Sequence, residues 1–249
     1  MTITLKREEV EEQLNTLPIA SWAWPRILLA VPLERTISNA SLVFFRFMEI
    51  ASQGVAMLKQ DYTRTDLARN RFAIKLLESQ HTHILMLDVD HVHPRDIIQK
   101  LARWPLMNPE IEVVGGLNFR RSEPYEPCCF FKDTENGTVN APATWTPGLM
   151  EVDYIGTGSL LIAREVFEKI EPPWFQNIYG IEANWADEWP GEDIGFSEKC
   201  QKAGIKMYVD TTTTSPHVGD RLIGEKTFRA YLEKHPEKYR AMEQKAAAS

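Results

Sequence analysis

Asp88-Val-Asp90 places two carboxylates directly after the apolar run Ile84-Leu85-Met86-Leu87 and directly before His91, His93 and Pro94. Oxygen ligands of this kind suit Mg2+ or Mn2+. On an extended segment, side chains two apart point the same way. Two neighbouring carboxylates repel, and a divalent cation removes that cost. The competing reading is local: Asp88 caps a turn and Asp90 faces water. Position favours the first, because ligands of open α/β sheets bind beyond the carboxyl ends of the strands. An EF-hand is excluded: counting from Asp88, its glycine position holds His93 and its closing glutamate position holds Gln99. The local order D-x-D-H-x-H also lacks the His-x-acid order of a non-haem iron site.

Two further groups carry chemistry. Glu192-Asp193 opens the segment "EDIGFSEKCQKAG", with Trp185, Trp189 and Pro190 just before it. Apolar surroundings raise a carboxylate toward general-base values, while plain helix capping is the alternative. Gly156-Thr157-Gly158-Ser159 lacks the lysine of a P-loop, so its glycines imply close approach of a ligand to backbone, or a tight turn.

The elements that must position these groups alternate. "RILLAVPLER" (26–35) predicts a strand and "NASLVFFRFMEIASQ" (39–53) a helix. "VAMLKQ" (55–60) predicts a strand. "TDLARNRFAIKLLES" (65–79) predicts an amphipathic helix capped by Thr65 or Asp66, with Leu67, Phe72, Leu76 and Leu77 near one face. "HILMLDVD" is the third strand. "PRDIIQKLARWP" (94–105) is a helix that stops before Pro105, and "IEVVGGLNF" (111–119) is the fourth strand. This is the alternation of an α/β domain with a mainly parallel sheet. Farther on, a hairpin is expected around Asn136-Gly137, then a strand, the glycine turn, an apolar strand and a helix. A long loop carrying Trp174, Trp185 and Trp189 leads into the Glu192 helix, stopped at Gly204. "IKMYVD" is a strand, "TTTTSP" a turn, and the tail from Glu225 a charged helix. The chain reads as one domain over 1–249, with halves at 26–120 and 121–220 and a helical tail at 221–249.

Composition narrows the class. Hydrophobic content of 43% supports a proper core, and a net charge of −7 gives no general field for a polyanion. Cys128, Cys129 and Cys200 have no metal-site spacing, and a vicinal pair is a poor disulfide candidate, so a reducing, cytoplasmic setting is expected. No apolar run reaches the length of a membrane span.

Together these segments resemble the GT-A-fold glycosyltransferases, of the family-2-like, compact and anchorless type of bacteria and their viruses. Four stretches carry the resemblance, in order: "TDLARNRFAIKLLESQHTHILMLDVDHVHPRDII", "YIGTGSLLIAREVFEKI", "WPGEDIGFSEKCQKAGIKMYVD" and "SPHVGD". The resemblance implies a Rossmann-like α/β fold with a smaller acceptor-side region, a nucleoside diphosphate sugar donor (a UDP-sugar first) and Mn2+ or Mg2+. It implies that Asp90 and His217 bind the metal and that Asp88 faces the ribose or the metal's water shell. His91 and His93 match no family ligand. Pro32, Glu34 and Arg35 fall where the family holds base and ribose. Asp66 and Arg69 fall near a helix start suited to phosphate, and Gly156, Thr157 and Gly158 line the sugar site. Asp193 takes the general-base position of inverting members, with Glu192 binding acceptor or orienting the loop. Arg120-Arg121 can meet phosphate or acceptor, or form an ordinary surface pair. The acceptor is open, with a hydroxylated DNA base among the options. A sugar nucleotidyltransferase is the second enzyme class, disfavoured because "AVPLERTIS" has no glycine. The third reading is a non-catalytic sugar- or nucleotide-binding module.

Overall fold

A computed structural model describes residues 25–33, 46–47, 49–50, 56–61, 64–133, 138–177, 191–219 and 222–237. Its centre is a seven-stranded sheet. The first half supplies β1 (Ile27–Leu33), β2 (Ala56–Asp61), α1 (Thr65–Leu77), β3 (His83–Leu87), α2 (Ile97–Met107) and β4 (Val113–Leu117). The second supplies β5 (Cys129–Asp133), β6 (Thr138–Asn140), β7 (Leu149–Val152), β8 (Tyr154–Ile155), β9 (Ser159–Ala163) and α3 (Arg164–Lys169). Then come α4 (Glu192–Lys202), β10 (Met207–Thr214), β11 (His217–Val218), β12 (Leu222–Ile223) and α5 (Glu225–Lys234).

The sheet order is β2-β1-β3-β9-β4-β10-β7. β1 runs parallel to β2 and β3, and β4 parallel to β10, whereas β9 runs antiparallel between β3 and β4 and β7 antiparallel along β10. Helical alternation in the first half predicts the parallel strands. It does not predict β9, which enters from the second half and separates β3 from β4. All five residues of β3, β4 and β9 are buried, as expected of strands covered on both faces. Alternate side chains feed two apolar layers. Ile84 and Met86 meet Phe72, Leu76 and Phe167 on one face; Leu85 and Leu87 meet Ile97 and Leu101 on the other.

Several local expectations are corrected. Arg64 stands at the N-cap of α1 and makes no side-chain cap bond, so neither Thr65 nor Asp66 caps it. Leu67 is 43% exposed; the buried face of α1 is Ala68, Arg69, Phe72, Ala73 and Leu76. Helix α2 continues through Pro105 to Met107. A proline in the last turn removes one late hydrogen bond, and its buried ring compensates by packing. Thr211–Thr214 do not form a turn but belong to β10, as a bulge: β10 advances from Asp210 to Thr214 while β4 advances only from Gly116 to Leu117. Gly204, at φ +72°, ends the region after α4 as expected. Of the segment 39–53, only residues 46–47 and 49–50 are described, and they are helical. Among the described residues no helix is long and apolar enough to cross a membrane.

Candidate functional site

The carboxyl ends of β3 and β4, the glycine turn before β9, and the starts of α1 and α4 surround an open cleft of about 270 Å3. Of the residues singled out by sequence, Arg69, Asp88, Asp90, Gly156, Thr157, Gly158, Glu192, Asp193 and His217 line it. Thr65, His91, Asn118 and Cys128 line it too, and sequence reasoning did not find them there.

The two carboxylates do not face each other. Strand β3 ends at Leu87, and Val89 and Asp90 lie in a turn, so strand alternation no longer governs their directions. Asp88 receives Arg69 through both oxygens, at 2.8 and 3.0 Å. Arg69 is 3% exposed and its other terminal nitrogen donates to Glu192. A guanidinium so engaged ties α1, the end of β3 and the start of α4 into one knot. It is not a free phosphate site.

Asp90 turns instead toward two histidines. Backbone bonds from Val218 N–H to the Asp90 carbonyl (2.7 Å) and from Val92 N–H to the Pro216 carbonyl (2.9 Å) zip the D-x-D turn to β11. His91 and His217 pair across this seam and stack with centroids 4.1 Å apart. Asp90 Oδ1 is 2.9 Å from His91 Nδ1, and Oδ2 is 2.9 Å from His217 Nε2. Burial works against the Asp90 charge, but the hydrogen bonds and charges of His217 and His91 outweigh it and hold the carboxyl far below the usual range. The ligand atoms of Asp90, His91 and His217 lie within 4.8 Å of one another.

The tautomers are informative. His217 Nδ1 is 2.9 Å from the carbonyl of Phe119, which can only accept, so Nδ1 carries the proton. In a neutral ring, Nε2 then presents a lone pair to the Asp90 carboxylate. Two acceptors at 2.9 Å repel unless a cation or proton joins them. His91 donates through Nδ1, and its buried Nε2 has no partner. The Asp90–His91–His217 donor set fits a divalent cation, with the Phe119 carbonyl orienting one imidazole from behind. His93, by contrast, is a brace. It is fully buried, donates from Nε2 to the Asp88 carbonyl (2.9 Å) and meets Ser215 through Nδ1 (3.0 Å).

Gly158 is required by close approach: a Cβ there would stand 2.9 Å from Asn118 Nδ2 and 3.0 Å from His91 Cε1. Its carbonyl accepts from Asp88 N–H at 3.0 Å, which locks the glycine turn to the D-x-D. On the opposite wall, Gly191 is the N-cap of α4 and makes no side-chain cap bond, so Asp193 is a first-turn residue rather than the cap. Its Oδ1 accepts from Ile194 N–H at 2.9 Å. Burial raises the Asp193 carboxyl above the ordinary carboxylate value, against the pull of Arg69 and of backbone N–H groups. Four carboxylates (Asp88, Asp90, Glu192, Asp193) and one guanidinium (Arg69) line the cleft, a formal charge of 1 − 4 = −3.

Other sequence expectations fall elsewhere. Asp66 is held by Arg64 at 2.6 Å, at the outer start of α1. Pro32 lies in β1, opposite Gln60 of β2, and does not line the cleft. Glu34, Arg35, Trp185 and Trp189 lie outside the described residues. Trp174 is core rather than a sugar platform: it is 7% exposed, packs edge-on against Phe167 and donates to the carbonyls of Phe167 and Ile170. Arg120 is paired with Glu126 at 2.9 Å.

No protein-family model matches the sequence, and no curated protein matches it significantly. Solved structures do share its fold. A197 from STIV is 19% identical with a TM-score of 0.55, over 80% of this chain and 93% of that one. GalNAc-T7, solved with UDP, GalNAc and Mn2+, is 12% identical with a TM-score of 0.50, over 84% of this chain and 47% of that one. Glucosyl-3-phosphoglycerate synthase from Mycobacterium tuberculosis, solved with Mn2+, UDP-glucose and phosphoglyceric acid, is 12% identical with a TM-score of 0.47, over 99% of this chain and 84% of that one. The fold is of the GT-A type, as the sequence resemblance implies.

Proposed function

We propose that this chain is a glycosyltransferase that moves a sugar from a nucleoside diphosphate sugar, a UDP-sugar first among candidates, to a hydroxyl acceptor, with Mn2+ or Mg2+ and with inversion. The observation that carries the reading is the convergence of Asp90, His91 and His217 at the end of a buried strand, with their ligand atoms within 4.8 Å of one another. A cleft of formal charge −3 repels a diphosphate, so a cation must mediate the encounter. Asp90 and His217 would hold that cation, with His91 beside them. Bound there, it would stabilise charge growing on the leaving diphosphate.

The chain's own residues do the rest. Gly156 and Gly158 offer backbone to the sugar without a side chain in the way, and Thr157 lies between them. Asp88, its charge met by Arg69, is left to the ribose or the metal's water shell. Asp193 takes the acceptor proton as the hydroxyl attacks, a role helped by a raised carboxyl, and Glu192 holds the start of α4 through Arg69. The test is a thermal-stability screen of nucleotide sugars with and without Mn2+, followed by donor hydrolysis. At least one nucleoside diphosphate sugar should raise the melting temperature only with metal and slowly release nucleoside diphosphate. A screen with no metal-dependent stabilisation by any donor would sink the reading.

A further inference from the structure

The chain between β4 and β5 is a tied hairpin. Phe119 bridges to Pro127, Cys128 N–H donates to the Asn118 carbonyl (2.9 Å), and Arg120 N–H donates to the Glu126 carbonyl (2.9 Å). The hairpin touches the candidate metal group at two points. The Phe119 carbonyl accepts from His217, and Arg121 Nη2 lies 3.5 Å from Asp90 Oδ2. The two arginines at its tip differ. Arg120 is fixed by Glu126, whereas Arg121 is 53% exposed and its contact with Asp90 is too long for a good hydrogen bond. Arg69 has both terminal nitrogens on carboxylates. Arg121 is therefore the cation near Asp90, among the described residues, that keeps donors to spare.

We infer that Arg121 is an anion-binding residue for the diphosphate group, parked on Asp90 until a divalent cation displaces it. This inference rests on the metal–diphosphate reading of the cleft. A dication at Asp90 would cancel the charge that attracts Arg121 and would repel the guanidinium. An anion held by that dication would sit within a side chain's reach of the displaced group. Arg matches phosphate oxygens with paired N–H donors, and such charge-assisted bonds are among the strong ones. Metal binding thus creates the second half of the anion site, and the order of binding is metal first.

Calorimetry with Mn2+ and inorganic pyrophosphate tests this without knowledge of sugar or acceptor. Wild-type protein should bind Mn2+ alone, bind pyrophosphate with Mn2+ present, and not bind pyrophosphate without it. In Arg121→Met, pyrophosphate binding with Mn2+ should weaken by about 10-fold. Binding of Mn2+ alone should stay the same or tighten, because a competing cation is gone. Arg121→Lys should recover part of the loss. Equal pyrophosphate affinity in wild type and Arg121→Met would overturn the inference, and so would a loss of Mn2+ affinity in that variant. Failure of wild-type protein to bind pyrophosphate with Mn2+ would overturn the underlying reading instead, and this inference with it.

Discussion

Asp90 and Asp193 hold opposite electrostatic positions, and the difference separates their roles. Asp90 is kept ionised by His217 and His91, the state a metal ligand needs. Asp90→Ala should abolish Mn2+ binding measured by calorimetry while leaving the melting curve cooperative. His217→Ala should weaken Mn2+ affinity by about 10- to 100-fold, and an unchanged titration would remove His217 from the site. Asp193 is pushed the other way, by burial. A carboxyl raised in the folded state adds stability below its unfolded value, and that stability is lost as pH rises through the folded value. Asp193→Asn should therefore raise the melting temperature at neutral pH, and the gain should shrink toward pH 4, near the ordinary value for aspartate. The same variant should bind donor and metal normally and lose most turnover, by roughly 10^2- to 10^4-fold. Near-normal turnover with the true acceptor would remove Asp193 as base.

At the scale of elements, the bulge of β10 brings His217 to Asp90, and Asp210 holds the bulge. This carboxylate is fully buried and accepts from Thr212 N–H, Thr212 Oγ1, Thr213 Oγ1 and Arg103. Burial opposes its charge, but the threonine hydrogen bonds outweigh that and lower its carboxyl below the ordinary value. Its contribution is present above the unfolded value and lost as pH falls through the folded one. Asp210→Ala should cost about 3 kcal/mol in urea denaturation, since it leaves several donors without an acceptor, and it should also loosen Mn2+ binding. A loss of stability with Mn2+ affinity intact would separate the bulge from the site. The bulge also shows where sequence stops being legible. β1, β3 and β4 are legible as continuous apolar runs bounded by turn residues, and α1 and α4 as segments too long for strands. Four consecutive threonines carry no periodicity, so the strand was mistaken for a turn. His91 is set aside in the sequence because it matches no family ligand, and only the turn after Leu87 shows that it shares Asp90 with His217. Adjacency of a histidine to the D-x-D was the available signal. For Arg69, sequence shows a cation near a helix start and hides the two carboxylates that pair with it.

For the molecule as a whole, acid should act through the sheet as well as through the cleft. His83, 2% exposed in β3, is held by burial at about 4, down from 6.5. A lowered histidine gives stability above its unfolded value, and that is lost as pH falls from 6.5 through 4. The full loss is on the order of 3 kcal/mol. His83→Leu should move the acid-unfolding midpoint to lower pH, and an unmoved midpoint would assign acid sensitivity to other groups. The placement of β9 has a consequence for how the chain comes off the ribosome. β3 is complete at Leu87 and β4 at Leu117, yet the strand that joins them ends at Ala163. During synthesis both therefore wait with an open edge, apolar on both faces, while 46 more residues (163 − 117) are added. Open edges of this kind template association with other chains. A fragment ending near residue 125 should then aggregate or recruit chaperones more than one ending after α3, which has the strand that joins β3 to β4 and leaves only the β10 edge of β4 open.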